Sequence, residues 1–319
     1  MTTISQTFRR YFFVALCLTT LRAVSQTGYT WERFSGISNS QGSEDSSTST
    51  PRFYYPNDLV RLADGTLLIS DSANHSIRKR APNGIVTTFV GLSGINGVTN
   101  GTGNNARFSN PAAMTMNASG TLYVADTGNN LVRQVTAAAV VTNFVGVAGS
   151  YGNTNGAANV ATFSYIADLA LDSAGNLFIA DNENHCVRKV TTAGVVSTFV
   201  GSNDSEVFGA SDGTGTAARF SYPSSLTFAP DGNLYILDSG NNTIRKATPT
   251  GVVTTLAVGA VAGSYAQIEA DAAGNLICTD SGNNRIVKII SEILCRLLQA
   301  TPRLAVWTAL AVPLDLRIL

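Results

Sequence analysis

The sequence predicts an all-β fold, a β-propeller of four-stranded antiparallel blades, and three observations support it. A short segment ending on aspartate recurs five times, with steps of 55, 55, 57 and 42 residues between the aspartates. Around each aspartate lie four short stretches rich in β-forming residues, separated by glycine and asparagine turns. No stretch of useful length between them has the periodicity of a helix. A repeat of this length indicates an array, and a meander repeated radially is a propeller blade.

The first copy shows the elements of one blade in order. An apolar segment leads to the turn 63–65, and a second strand runs from there to Asp71. A polar turn at 74–75 leads to a third strand around Arg78, and a glycine turn at 83–84 leads to Val-Thr-Thr-Phe-Val-Gly. Tight turns of this kind join neighbouring strands of an antiparallel sheet. The copy therefore reads as a complete four-stranded blade.

The pattern Gly-x-Leu-Tyr-Val-Ala-Asp-x-x-Asn-Asn/His-x-Ile-Arg, nearly complete at residues 120–133, resembles the NHL-repeat family of β-propellers. The resemblance covers roughly residues 56–290 and includes all five copies. It implies the propeller fold, but no single function, because the functions of the family are diverse. Some propellers similar to this family are zinc-dependent lyases that act on peptide termini, and some family members bind RNA.

Five repeats are visible, and an N-terminal strand is predicted to close the ring. The segment Tyr29-Thr-Trp-Glu-Arg-Phe-Ser-Gly36 aligns with the fourth strand of a repeat, as at 86–91, while the fifth copy shows three strands that end at Ile290. An outer strand supplied by the N-terminus would complete the last blade and hide two exposed sheet edges. The family more often has six blades, so a six-bladed propeller is the alternative.

Residues 1–25 are predicted to be a signal peptide. Arg9 and Arg10 precede the apolar run Tyr11–Leu18, and the small residues at 23–25 fit a cleavage site. The run is too short for a transmembrane helix. Cleavage would leave a propeller domain at 26–290 in a secreted or extracytoplasmic protein, either periplasmic or extracellular.

Residues 291–319 are predicted to be a tail outside the repeats. The tail is largely apolar but lacks the repeat pattern, so we expect a short helix or disorder there. Pro302, Arg303 and Pro313 interrupt its apolar runs. A stable membrane anchor is therefore not predicted.

Long connections rich in Gly, Asn, Ser and Thr join the copies at 36–56, 91–111, 146–166 and 201–223. A second motif recurs in them, a phenylalanine that in three of four cases follows arginine. Its residues are Arg52, Phe53, Arg107, Phe108, Phe163, Arg219 and Phe220. Each phenylalanine could plug its loop onto the neighbouring blade, as buried aromatic residues usually do, or belong to an exposed aromatic ring that stacks on a ligand.

In a meander these four loops share one face with the Asp-x-x-Asn turns, and the short glycine turns lie on the opposite face. We call the first of these the long-loop face. Loops on a rigid scaffold commonly carry function. The long-loop face, with the arginines and phenylalanines of the second motif, is therefore the predicted binding surface.

The five repeated aspartates could be structural or could hold a metal. Each can accept hydrogen bonds from the following turn and pair with an arginine of the next strand, although the fifth copy lacks that arginine. Calcium suits carboxylates and turn carbonyls. The candidates for a metal site are Asp126, Asp181 and His185, but the chain has two histidines, too few for a three-histidine zinc site. No metal or other cofactor is predicted, and calcium is the ion that these ligands would suit.

Composition and motifs favour binding over catalysis. The formal net charge is zero, with 21 basic and 21 acidic residues, so no nucleic-acid partner is predicted. No nucleophile elbow, HExxH or P-loop is present. We therefore predict a secreted binding or interaction module for a protein, peptide or glycan, of undetermined oligomeric state. The alternative is a metal-dependent propeller lyase or hydrolase with its site at the channel mouth.

Overall fold

The computed structural model describes residues 34–37, 40–46, 50–258 and 267–290, which from Ser35 onward belong to one compact unit. The predicted signal peptide at 1–25, the tail at 291–319 and nearly all of the predicted closing strand at 29–36 lie outside the described residues. Within the described part, no helix has the length and hydropathy that a membrane span requires.

The chain folds into an all-β propeller of five blades, as the repeats predict. The strands of blade 1 are β1 (Pro56–Arg61), β2 (Leu67–Asp71), β3 (Ser76–Arg80) and β4 (Val86–Gly91). Blade 2 contains β5 (Gly101–Thr102), β6 (Pro111–Met116), β7 (Leu122–Asp126), β8 (Leu131–Val135) and β9 (Val140–Val145). Blade 3 contains β10 (Ile166–Leu171), β11 (Leu177–Asp181), β12 (Cys186–Val190) and β13 (Val196–Gly201). Blade 4 contains β14 (Gly213–Thr214), β15 (Pro223–Phe228), β16 (Leu234–Asp238), β17 (Thr243–Ala247) and β18 (Val252–Val258). The described strands of blade 5 are β19 (Ile268–Ala270), β20 (Leu276–Asp280) and β21 (Arg285–Ile289).

Each blade is an antiparallel meander because tight turns join its consecutive strands. The turn after the second strand is a single 3-10 turn, and the residue after it has a left-handed backbone. Asparagine and histidine tolerate this conformation better than most side chains. These single turns are Ser72–Asn74, Thr127–Asn129, Asn182–Asn184, Ser239–Asn241 and Ser281–Asn283. The repeated Asn-Asn and Asn-His pairs thus supply the residue that ends each turn.

The apolar core lies between successive blades. Val124 of blade 2 packs with Leu68 of blade 1, and Ile179 of blade 3 packs with Val132 of blade 2. Equivalent clusters join blades 3 and 4 and blades 4 and 5. Second strands read as almost unbroken apolar runs because both of their faces are covered by neighbouring blades.

Two loops add a strand that the sequence did not predict. β5 pairs with β9, and β14 pairs with β18, so blades 2 and 4 are five-stranded. Single bridges occupy the equivalent places in the other two loops, Ser46 to Val86 and Gly156 to Val196. Each long loop therefore runs along the outer strand of the blade that follows it, which shields that edge. Two short 3-10 turns, Gly103–Asn105 and Gly215–Ala217, follow the added strands.

Candidate functional site

The aspartate that ends each second strand ties together the turn, the third strand and the incoming loop. In blade 3, Oδ1 of Asp181 accepts the backbone N–H of Ser164 at 2.8 Å. Oδ2 of the same carboxylate accepts Asn184 Nδ2 at 2.9 Å and Arg188 Nη1 at 2.8 Å. The same contacts recur around Asp71, Asp126 and Asp238. The contacts with the turn and with the arginine are those that the sequence predicts for a structural role, and the contact with the incoming loop is an additional one.

The arginine that pairs with the aspartate also donates hydrogen bonds to the preceding loop. Arg188 is fully buried, and its Nη2 donates to the Thr154 carbonyl at 2.8 Å and to Asn155 Oδ1 at 2.7 Å. Its guanidinium also lies 5.3 Å from the centre of the Phe163 ring. Charge-assisted hydrogen bonds and a desolvated cation–π contact are each among the stronger polar interactions in proteins. The loop before each of blades 1 to 4 is therefore fixed by a buried ionic cluster.

Blade 5 replaces the buried arginine of this pair with an exposed one. Val287 pairs with Cys278 in the register position that the arginine has in other blades. Arg285, two residues earlier, donates from Nε to Asp280 Oδ2 at 2.6 Å, and its side chain is 56% exposed. The aspartate thus keeps an arginine partner that reaches it from the surface.

The candidate metal residues are engaged by protein groups. Burial raises the pKa of Asp126 and of Asp181 to about 6, against the hydrogen bonds and arginine charge that lower it. Both carboxylates already accept three hydrogen bonds. His185 ends its turn in the left-handed region, where its Nδ1 accepts the Tyr222 N–H at 3.1 Å, and burial lowers its pKa. Coordination of an ion by Asp126, Asp181 or His185 would have to displace these contacts. No group of three metal-ligating side chains occurs among the described residues.

The phenylalanines of the second motif lie beneath the buried arginines. Phe108, Phe163 and Phe220 are fully buried, and Phe53 is half-buried. Each ring centre lies between 4.9 and 5.5 Å from a guanidinium carbon. Burial on this scale matches the loop-anchoring interpretation and leaves three of the rings without a face open to a ligand.

The three arginines of that motif lie half-exposed on the loops. Arg107 donates to the carbonyls of Asn104 and Ala106 at 2.6 and 2.7 Å, and Arg219 makes the equivalent pair of bonds. Arg52 instead pairs with Glu44 at 3.4 Å. The binding role predicted for these arginines remains a prediction, and the structure shows that two of them brace their own loops.

Two other loop positions carry exposed aromatic side chains, and the sequence analysis missed both. The first position directly precedes the first strand of a blade and has φ between 48° and 57° in all four loops, at Tyr55, Asn110, Tyr165 and Tyr222. The second directly precedes the glycine that donates its N–H to the carbonyl of the buried phenylalanine, at Asn96, Tyr151 and Phe208. Superposing the loops on their phenylalanines would have revealed both positions in the sequence.

Loops 146–166 and 201–223 have aromatic residues at both positions. We call Tyr151 with Tyr165, and Phe208 with Tyr222, the aromatic pairs. Together with Tyr55 they are the exposed aromatic side chains among the described residues from 40 onward. All five belong to the long loops, so the exposed aromatic surface is concentrated in these segments.

A depression of about 390 Å³ lies between blades 1, 2 and 3 on the long-loop face. Tyr151 and Tyr165 line it together with Asn130 and Glu183 from the 3-10 turns. The remaining lining residues are Asn57, Ser72, Asn110, Ala112, Thr127 and Gly128. This volume lies within the range of about 300–1,000 Å³ that is common for small-ligand sites.

Carboxylates also meet on the inner strands, which the sequence analysis did not predict. Asp58 of β1 accepts the Met114 N–H, and Asp168 of β10 accepts the Leu226 N–H, each at 2.7 Å and each from the next blade. Burial and then the charge of Asp58 raise the pKa of Asp168 to about 7. Burial and the same charge raise the pKa of Glu269 on β19. Asp58 of blade 1 thus lies within electrostatic reach of one acidic group of blade 3 and one of blade 5.

Comparison with known proteins connects this architecture to one repeat family. The sequence model of the NHL repeat matches residues 108–135, 163–190 and 220–246. Teneurin-3 of Danio rerio is 29% identical over 214 residues, which is 59% of this chain and 8% of teneurin-3. Teneurin-3 of Mus musculus is 30% identical over 217 residues, again 8% of its length. The similarity therefore concerns a small part of these relatives.

Solved structures show the same fold at low sequence identity. A catalytically inactive virginiamycin B lyase from Staphylococcus aureus with quinupristin has a TM-score of 0.52 at 18% identity and covers 75% of this chain and 70% of its own. An auxiliary nutrient binding protein from Bacteroides thetaiotaomicron has a TM-score of 0.53 at 15% identity and covers 73% and 58%. A gluconolactonase from Xanthomonas campestris has a TM-score of 0.51 at 14% identity and covers 75% and 76%. Such distant similarity establishes the propeller architecture alone.

Proposed function

This chain is an NHL-repeat β-propeller, and we propose that it acts as a binding module that holds a protein, peptide or glycan on its long-loop face. The observation that carries the proposal is the placement of the aromatic pairs, Tyr151 with Tyr165 and Phe208 with Tyr222, in the loops before blades 3 and 4. Tyrosine and phenylalanine supply large contact areas at low cost in side-chain entropy. Exposed rings of this kind are typical of recognition surfaces. The same proposal includes the secreted or extracytoplasmic location that the N-terminal segment predicts.

The backbone of this surface is held in place before any ligand arrives. The carbonyl of Gly152, next to Tyr151, accepts Asn184 Nδ2 at 2.8 Å. On the other side, the Ser164 N–H is bound to Asp181, and the carbonyl of Tyr165 accepts the Asn182 N–H at 3.1 Å. Preorganised side chains lose less entropy on binding, which increases affinity.

Strain at the tyrosines supports a functional role. Tyr165 has φ of 57° and Tyr222 has φ of 51°, a region that disfavours residues with a Cβ by about 1–3 kcal/mol. Asparagine, which adopts this region more readily, occupies the same position at Asn110. A bulky ring at this position therefore lowers the stability of the fold. Exposure of the ring to a binding partner would explain why tyrosine is nevertheless present.

The proposal is tested by replacing the aromatic pairs with the residues that loop 91–111 carries at the same positions. These replacements are Tyr151→Asn, Tyr165→Asn, Phe208→Asn and Tyr222→Asn. The full chain and the variant are screened against arrays of oligosaccharides and displayed peptides. We expect the ligands of the unchanged chain to be lost in the variant, while its melting temperature stays the same or rises.

A matched control changes exposed apolar residues on the opposite face. Val140 and Val195 directly follow the turns between the third and fourth strands of blades 2 and 3, at Ala139 and Gly194, and are 38% and 49% exposed. Replacement of both with serine is expected to leave ligand binding unchanged. If the aromatic variant keeps every ligand, or the control loses them, recognition does not occur on the long-loop face.

A second candidate function, catalysis at the inner strands, has one observation in its favour. Asp58, Asp168 and Glu269 have raised pKa values, and the charge of Asp58 raises the pKa of the other two, a pattern found at many catalytic sites. Turnover of lactone, ester or glycosidic substrates by the full chain, abolished by Asp168→Asn, would support this candidate. Absence of turnover, or turnover that Asp168→Asn leaves unchanged, would exclude this site.

A further inference from the structure

The depression between blades 1, 2 and 3 has the lining of a saccharide site. We propose that it binds one ring of a neutral glycan, with the ring's C–H surface against Tyr151 and Tyr165 and its hydroxyls directed to the amides around them. This inference rests on the proposed function of the long-loop face and names the ligand class for one part of it. Its support comes from the aromatic walls, the polar lining and one buried amide.

Two tyrosines form the aromatic part of the depression. Tyr151 is 73% exposed and Tyr165 is 50% exposed, and both line the depression. The buried Phe163 fixes them together, because Tyr151 forms a parallel bridge with Phe163 and Tyr165 follows it by two residues. A sugar ring has apolar C–H surfaces that pack on an aromatic face, so two rings held in fixed positions suit it.

Neutral hydrogen-bonding groups make up most of the polar lining. Asn57, Asn110 and Asn130 contribute amides, which both donate and accept. The hydroxyls of Ser72 and Thr127 donate to the carbonyls that begin the next blades, Pro111 and Ile166, and so keep acceptor capacity for a ligand. Sugar hydroxyls both donate and accept, which is the complement of this set.

Asn130 is the residue that points most directly to a ligand. It is 2% exposed, lines the depression, and its Nδ2 has no hydrogen-bond partner among the described residues. At the same turn position in blades 1 and 3, the side chains of His75 and His185 accept the N–H of Asn110 and Tyr222, each at 3.1 Å. A buried amide donor without a partner is unfavourable, and a ligand hydroxyl in the depression would satisfy it.

Other ligand classes fit the lining less well. Ala112 is the aliphatic side chain that lines the depression, so a leucine or phenylalanine anchor of a peptide finds no apolar pocket. No lysine or arginine lines it, which disfavours phosphate and nucleic acid. The one carboxylate, Glu183, already accepts the Ser164 hydroxyl at 2.7 Å. A neutral polyhydroxyl ligand is the class that these residues suit best.

The test measures binding of chitotetraose, cellotetraose and mannotetraose to the full chain by saturation-transfer NMR and calorimetry. Three variants are compared with the unchanged chain. Tyr151→Asn with Tyr165→Asn removes both rings, and Asn130→Asp removes the amide donor while keeping a residue that tolerates the left-handed backbone. Tyr55→Asn and Asn242→Asp are the matched controls, because they change equivalent positions of other blades that do not line the depression.

We expect at least one oligosaccharide to bind, the double tyrosine variant to weaken its affinity by about a hundredfold, and Asn130→Asp by about tenfold, as loss of one hydrogen bond to a buried group would. The control variants should change affinity less than twofold, within experimental scatter. Absence of saccharide binding at about 10 mM ligand, which corresponds to a very weak complex, would overturn the saccharide assignment. A displayed peptide that binds, and is lost in the double tyrosine variant, would also overturn it while the binding role of the long-loop face stands. Saccharide binding unaffected by the variants would overturn both.

Discussion

Replacement of Arg188 by alanine tests whether the buried ionic clusters hold the loops to the blades. The side chain is fully buried and donates four hydrogen bonds, to Asp181, to Asn155 and to the carbonyls of Thr154 and Thr162. Asn155 and Thr154 are exposed and can turn to water when the arginine is lost. Asp181 is fully buried and cannot, so its charge would remain without its cationic partner.

The expected loss of stability follows from these contacts. Removing one partner of a buried ion pair destabilises a protein by about 3–5 kcal/mol, and loss of the desolvated cation–π contact with Phe163 adds about 1–2 kcal/mol. The sum, about 4–7 kcal/mol, is a large part of the total stability of about 5–15 kcal/mol typical of a domain. The melting temperature should fall by about 8–28 °C, given about 2–4 °C per kcal/mol for a domain of this size.

Urea denaturation followed by circular dichroism measures this change, and blade 5 supplies the control. Arg285 also pairs with a fully buried aspartate, Asp280, but the Arg285 side chain is 56% exposed, so water screens this pair more than the fully buried pair of Arg188 and Asp181. We therefore expect Arg285→Ala to lower the free energy of unfolding by less than Arg188→Ala does, because the half-exposed guanidinium is screened by water and makes fewer buried contacts. The reasoning would be refuted if the two substitutions had equal effects, or if Arg188→Ala changed the free energy of unfolding by less than about 1 kcal/mol.

Two further predictions concern the inner strands and the loop anchors. The pKa of Asp168 is raised to about 7 by burial and the charge of Asp58, so its contribution to stability is full below the unfolded value near pH 4 and is lost as pH rises towards 7. Asp168→Asn should flatten that decline by about 1 kcal/mol per pH unit, measured by urea denaturation from pH 4 to 8; an unchanged slope would exclude this residue as its source. Phe220→Ala should lower the free energy of unfolding by about 3–5 kcal/mol because the ring is fully buried, and should increase proteolysis within loop 201–223. A resistant loop would show that the ring is not its anchor.

The sequence predicted the fold well because each repeat contains the local interactions that form one blade. Short runs of β-forming residues, turn glycines and the aspartate that ends each second strand depend on neighbours within one blade, and each recurs several times. The Asp–Arg pairs follow for the same reason, since Asp181 and Arg188 are seven residues apart on adjacent strands. Placement of the long loops on one face with the Asp-x-x-Asn turns is likewise confirmed by the bonds from Asn184 to Gly152 and from Asp181 to Ser164.

The candidate site was only partly predictable. The second motif lies in the same loops as the exposed rings, but its phenylalanines are largely buried, while the exposed rings lie at neighbouring positions such as Tyr151 and Tyr165. One sequence offers no local signal that separates an anchor from a displayed ring, because both are aromatic residues in a polar loop. In the structure Phe163 is the anchor because it is buried beneath Arg188, whereas Tyr151 and Tyr165 are exposed.

The sequence by itself determined the blades, the order of their four repeated strands and the Asp–Arg pair of blades 1 to 4, because these are encoded within single repeats. Only the tertiary structure determined the contacts between different repeats. Asp58 reaches the N–H of Met114, 56 residues away, and the depression forms where side chains of three blades meet. The physical reason is that such contacts depend on how successive blades pack against each other. That packing is set by the shared apolar core between them, which the period of the repeat does not specify.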